Sequence, residues 1–213
     1  MSVPNCPSGA LQYSTSTHTF ACGVSAPSLT IYTAGYLWAA TYVSGLTGSG
    51  SGTCTATLNS GYGGTLGVAT FAVTSGVIGV TGTVTAPGSG YTSAPVGVTG
   101  SGACSGGSGV IVPTLGNTIT TGGDYFNAVA VAMAFVLPTP TNTLRVCVGN
   151  STGVSNIVTF KAPASTYIDY LGINGSAAGT FVSTGLLGDY GCLYGMSGTN
   201  YKAFPVVGSW GNN

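Results

Sequence analysis

Asp124, Arg145, Lys161, Asp169, Asp189 and Lys202 are the only charged side chains in 213 residues, and His18 is the only histidine. That short set bounds the chemistry. A Ser/His/Asp triad can be composed on paper from His18 and any aspartate. A triad is defined by geometry, however, and His18 sits in the irregular Ser/Thr-rich stretch "STSTHTF". Glycoside cleavage needs two carboxyl groups flanking a sugar cleft. Asp169 and Asp189 are the pair to consider, but nothing in their surroundings marks a cleft, and both read as turn residues that accept nearby backbone N–H groups. Asp124, in "TGGDYF", reads as a turn residue. The alternative is that it meets its counterparts on a threefold axis and offers oxygen ligands to a hard cation such as Ca²⁺. The expectation is a protein with no catalytic residue, no metal and no cofactor: not an enzyme.

The six cysteines, at positions 6, 22, 54, 104, 147 and 192, are widely spaced and form no CxxC pair, so the spacing of a metal site is absent. Two readings stand open: small buried hydrophobes, or disulfides with fifteen possible connectivities. Cys147 with Cys192 is the first pair to test, since both lie in strand-like segments of the same third of the chain. "GSGSG" (48–52) lacks the Lys-Ser/Thr ending of a phosphate-binding loop. Asn150-Ser-Thr and Asn174-Gly-Ser fit the glycosylation pattern, yet "MSVPNCPSGALQYSTSTHTF" has neither the basic start nor the apolar run of a secretory signal, so both are read as turns.

The elements that must position these residues follow from composition. Charge makes up 3% of the chain, against ~25% in ordinary soluble domains. Net charge is zero, glutamate is absent, and positions 1–123 carry none of the six charges. That leaves no electrostatic footprint for nucleic acid or an anionic membrane. It also leaves little to keep copies apart, so the surface is expected to be committed to other chains. With 44% hydrophobic residues the sequence is too apolar for disorder. Glycine (37 residues), Thr, Ser, Val and Tyr dominate while strong helix formers are scarce, which predicts an all-β fold of short strands and tight turns. The apolar run Ala128–Leu137 is half a membrane span and reads as a core strand.

Three parts are expected. Residues 1–40 form an N-terminal anchoring or capping segment, and Tyr32, Tyr36, Trp38 and, just beyond it, Tyr42 either pack on the following domain or anchor the chain to a larger partner. Residues 41–113 form a Gly-rich β-repeat domain, sandwich- or prism-like. "TGSG" occurs at 47–50 and 99–102, each followed by a cysteine, and "SGY" at 60–62 and 89–91. Strand-like runs lie at 67–74, 80–86 and 95–100. In "VATFAVT", Phe71 and Val73 share one face and Thr70, Ala72 and Thr74 the other. A Gly/Ser linker has no reason to place Tyr91, Val96 and Val98 at strand spacing, so the stretch 85–107 is folded despite its seven glycines. Residues 114–213 form a C-terminal β-sandwich or jelly-roll-like domain, with a strand stopped by Pro138 and Pro140, a strand presenting Leu144, Val146 and Val148, another at 157–160, and Pro205 marking an edge position.

"GSGYTSAP" (88–95) resembles a glycine-rich β repeat of bacteriophage tail and fibre proteins, well over 76–112 and loosely over 41–75. The last third resembles a C-terminal β domain of phage head fibres, capsid decoration proteins and tail fibres, through Leu137, Pro138, Val148, Asn150, Ile173, Asn174, Gly175, Gly208 and Trp210. Pro205 departs from that pattern. The resemblance implies a structural virion protein on a capsid or tail surface, made in the host cytoplasm, with itself as a homotrimer and the major capsid or tail proteins as partners. The physical argument beside it is that uncharged Gly-rich strands must pair their edges and hide their apolar faces, and closed assembly does both. The alternative is an adhesin or receptor-binding fibre whose Tyr62, Tyr91, Tyr194, Tyr201 and Trp210 stack on a host-surface glycan; Tyr194, Tyr201 and Trp210 are the outward contacts expected in either case. Nucleic acid and membrane are not expected partners.

Overall fold

The computed structural model describes residues 9–14, 19–25, 29–59, 64–65, 67–92, 96–151 and 156–212; Cys6, His18 and Tyr62 lie outside them. Among the described residues every regular element is a β-strand. β1 (Gly9–Ser14) and β2 (Thr19–Ser25) pair only with each other. β3 (Leu29–Tyr32) leads into β4 (Tyr36–Ser44), followed by β5 (Thr47–Gly48), β6 (Gly52–Leu58), β7 (Val68–Thr74), β8 (Val77–Ile78), β9 (Thr81–Ala86), β10 (Val96–Gly102) and the long β11 (Cys104–Thr118).

The Gly-rich part closes on itself. Its order is β4–β11–β10–β6–β7–β9 and back to β4, all antiparallel, with Ala40 opposite Gly82 at the closing seam. The result is a six-stranded barrel, the closed counterpart of the sandwich or prism expected from the repeats. Alternation sets its inside: Ala69, Phe71 and Val73 are buried while Ala72 and Thr74 face water. Gly82 is required by close approach, because a Cβ there would lie 2.5 Å from the Phe71 ring. Closure corrects one premise of the sequence reading. These strands satisfy their edges within one chain, as barrels do, so the barrel presents no bare rim for another chain to pair.

The two "TGSG" copies take different structures. The first supplies β5, paired with Cys104–Ser105, and the second ends β10 against β6. The cysteines that follow them are joined to each other as Cys54–Cys104.

β11 leaves the barrel and continues into a sandwich, its last four residues pairing in parallel with β13 (Met133–Val136). The remaining strands are β12 (Gly123–Asn127), β14 (Arg145–Asn150), β15 (Val158–Lys161), β16 (Tyr167–Tyr170), β17 (Ile173–Asn174), β18 (Thr180–Ser183), β19 (Tyr190–Ser197), β20 (Asn200–Val207) and β21 (Trp210–Asn212). The first sheet extends β11–β13–β15–β18–β21; the second runs β3–β12–β14–β19–β20–β16–β17. Rings cross between them, Tyr32 lying 5.6 Å from Phe135 and Tyr170 4.9 Å from Phe181. Thus β3, from the N-terminal segment, is an edge strand of the second sheet. Pro205 sits at a bulge, where Tyr190 faces Val207 but Gly191 faces Pro205, beyond the residues of β20 that pair with β16. A missing N–H is tolerated there.

Cys147 and Cys192, directly opposite on β14 and β19, form the second disulfide. The two bridges close loops of 50 and 45 residues. On the chain-entropy account each contributes about 4 kcal/mol. Replacing either pair with alanine is expected to lower the urea midpoint by that equivalent, and reduction of the parent protein to lower it further.

Candidate functional site

The second sheet packs one face into the sandwich; its other face is exposed along the far ends of β19 and β20 and closed over Cys147 and Cys192. Strand alternation sends Val146, Val148, Leu193, Tyr201, Ala203 and Ile168 inward. Their neighbours point out, and they hold most of the charge in the molecule. Register places Asp124, Arg145, Lys202 and Asp169, four of the six charged residues, on this outer face.

Between these charges lies a shallow, open, largely apolar trough of about 620 Å³, lined by Cys192, Tyr194, Met196, Lys202, Phe204 and Val206. Tyr194 is 40% exposed, Met196 56%, Phe204 44% and Val206 59%. The Tyr194 and Phe204 rings meet edge to face at 5.5 Å. Tyr, Met, Phe and Arg are the residue types enriched in protein interfaces.

One rim of the trough is a polar cluster. Arg145 Nη1 lies 3.2 Å from Asp124 Oδ1, the one ion pair among the described residues. The Tyr190 hydroxyl donates to the same oxygen at 2.6 Å, and Arg145 Nη2 donates to the Tyr190 oxygen at 3.4 Å. Burial opposes the charge of Arg145, but hydrogen bonding to Tyr194 and the field of Asp124 outweigh it and hold the guanidinium above its ordinary value. Burial, the hydrogen bond to Asp124 and that carboxylate's charge push the Tyr190 phenol from 10 up to about 12, against the opposing pull of Arg145. Burial likewise raises Tyr201, Tyr32 and Tyr91. The fold therefore holds neutral phenols, whose stabilising contribution is complete below the unfolded value of 10 and lost as pH rises through the folded value. Urea midpoints are expected to stay level into mildly alkaline solution and fall between pH 10 and about 12, in step with a Tyr190 absorbance titration centred near 12.

Of the three outward contacts expected from sequence, only Tyr194 faces out. Tyr201 and Trp210 are corrections. Tyr201 is fully buried, its neighbour Lys202 taking the outward position on β20, and its hydroxyl donates to Pro138 O at 2.7 Å. Trp210 stacks on Phe181 at 5.1 Å and donates Nε1–H to Val207 O at 3.0 Å. Tyr91, grouped with them, is buried in the barrel, where its hydroxyl accepts Gly67 N–H and donates to Thr65 O. Asp124 and Asp169 are strand residues rather than turn residues. Asp189 is a turn residue: its Oδ2 accepts from Gly185 N, Leu186 N and the Thr184 hydroxyl.

Among the N-terminal aromatics, Tyr32 stacks on Tyr125 at 6.1 Å and Tyr42 lies 5.9 Å from Phe71. The Tyr36 ring lies against Gly116, and Trp38 is half-buried. Tyr32 and Tyr42 thus pack on the chain's own core. Met196, Lys202, Phe204 and Val206 were not picked out from sequence. The signal was present as alternation in "YGCLYGMS" and "NYKAFPVV", but alternation does not say which face is inside. No three His, Cys, Asp or Glu side chains converge among the described residues, which include no helix long and apolar enough to cross a membrane. Compared with known proteins, the chain matches no family model, no curated protein and no solved structure.

Proposed function

We propose that the protein is a non-enzymatic structural component of a bacteriophage virion, a capsid decoration or fibre protein whose copies associate with each other and with the major capsid or tail proteins. The observation that carries this reading is the outer face of the second sheet: an exposed apolar trough on a chain with almost no charge elsewhere to keep it apart from other surfaces. The homotrimer inferred from the fibre resemblance remains the proposed closed assembly. The two disulfides among the described residues suit life outside a cell, where oxidising conditions preserve them. Particles of the phage encoding the chain, purified by density gradient, are expected to contain it in many copies and to bind an antibody against it on the head or tail. Absence from such particles contradicts the reading.

A second reading, a carbohydrate-binding adhesin, is favoured by one observation: the half-exposed Tyr194 ring stands beside Lys202 in the trough. Retention on a glycan resin that is lost with Tyr194→Ala would support it, and passage straight through the resin would oppose it.

A further inference from the structure

The order of side chains on this outer face specifies what covers it. One row, read across four strands at a single register, runs Arg145 on β14, Tyr194 on β19, Lys202 on β20 and Asp169 on β16. Two of these groups lack a partner of their own. Lys202 makes no ion pair among the described residues, and Asp169 Oδ1 is shielded from water with no hydrogen-bond partner. The shielded Asp169 oxygen is unfavourable in the isolated chain, since a polar atom removed from water without a partner costs free energy.

We propose that a second copy of this chain packs face to face on the trough, about a twofold axis that lies between β19 and β20 and runs parallel to them. That rotation reverses the row. Arg145 then faces Asp169 of the partner subunit, and Tyr194 faces Lys202 of the partner subunit: an ion pair and a cation over an aromatic ring, each made twice. The row above brings Phe204 of the partner subunit against the Cys147–Cys192 disulfide, since Cys192 is the cross-strand neighbour of Phe204. The other in-plane twofold, perpendicular to the strands, sets the row on itself and opposes Arg145 to Arg145 and Lys202 to Lys202. Charge order therefore selects one axis. The contact is isologous, so the same patch serves both copies. The seven strands hold 37 residues, each covering about 3.3 Å by 4.8 Å, so the face offers roughly 590 Å² per copy, less than the ~800 Å² of a standard interface and in the range of a weak, concentration-dependent one. Sheets packed this way stand about 10 Å apart and nearly aligned. This contact does not depend on where the assembly is used, and a trimer built on other surfaces would be paired by it into a hexamer.

Light scattering on the oxidised full chain, with variants, tests the inference. The parent is expected to show an even number of copies. Phe204→Asp is expected to weaken association on the order of thirtyfold or more, as loss of a central aromatic anchor does. Asp169→Lys, which opposes Arg145 of the partner subunit with a like charge, is expected to weaken it roughly tenfold. Val77→Asp, on the exposed barrel surface, should leave the mass unchanged. If Phe204→Asp does not fold, Asp169→Lys and Lys202→Glu decide. A monomeric parent, a trimer with no even species, or an assembly indifferent to the folded variants overturns the proposal. None of these results bears on whether the chain is found in virions, which the particle experiment reads separately.

Discussion

Replacing Trp210 with alanine is expected to destabilise the sandwich by about 3–5 kcal/mol, the usual range for deleting a buried aromatic. Trp210 is only 7% exposed, stacks on Phe181, lies 5.7 Å from Phe160 and donates Nε1–H to Val207 O. The indole also lies over Gly191, where a Cβ would come within 3.0 Å of the ring. For a chain of this length the loss corresponds to a melting point lower by about 10 °C. Trp210→Phe should recover most of it, leaving about 1 kcal/mol for the lost hydrogen bond. A surface aromatic truncated to alanine would change stability by no more than about 0.5 kcal/mol. Thermal and urea unfolding of the two variants therefore separate a core role from the outward role expected from sequence.

Replacing Asp189 with alanine is expected to cost about 3–4 kcal/mol. The carboxylate is 1% exposed and accepts two backbone N–H groups, those of Gly185 and Leu186, besides the Thr184 hydroxyl. Removing it takes the charged acceptor from the Leu186 N–H and the Thr184 hydroxyl and leaves the Gly185 N–H its longer bond to Ser183 Oγ at 3.2 Å, while emptying a buried position at the centre of the turn. The same turn is locked from the other side by Gly208. Its φ is +82°, and a Cβ there would come within 1.9 Å of Asp189 Oδ1, so Gly208→Ala should cost a similar amount. Asp189→Asn keeps one acceptor oxygen and should fall between. Denaturant midpoints give the magnitudes. Hydrogen exchange at the Gly185 and Leu186 amides, accelerated in Asp189→Ala, places the effect in this turn.

These two sites show what the sequence could and could not reveal. Composition was enough for the all-β class, because scarce helix formers and abundant Gly, Thr and Val leave little else. Period-two alternation correctly divided β7, where a lone buried phenylalanine marks the inner face. In β19 and β20 the same alternation was present but both faces are apolar: Leu193, Tyr201 and Ala203 on one, Tyr194, Met196 and Phe204 on the other. Nothing local distinguishes a core face from an exposed face of equal hydrophobicity, which is why the sequence does not tell the buried Tyr201 from the exposed Phe204. Barrel closure was likewise invisible, since it depends on β4 meeting β9 and β11 across long stretches of sequence. The Gly208–Trp210 spacing was legible as a motif, but its reason is the contact with Asp189 and the packing over Gly191, neither of which spacing alone contains.

In the proposed pairing of copies, protein covers the outer face of the second sheet. Met196 reports on it most directly, as a thioether more than half exposed in the single chain, while Met133, with 0% exposure, serves as an internal reference. Peroxide oxidation of both methionines, followed by mass spectrometry across a range of protein concentrations, makes the comparison. The account predicts that Met196 oxidises quickly in dilute protein and becomes progressively protected as concentration rises, with Met133 slow throughout. Rapid oxidation of Met196 at every concentration would contradict it.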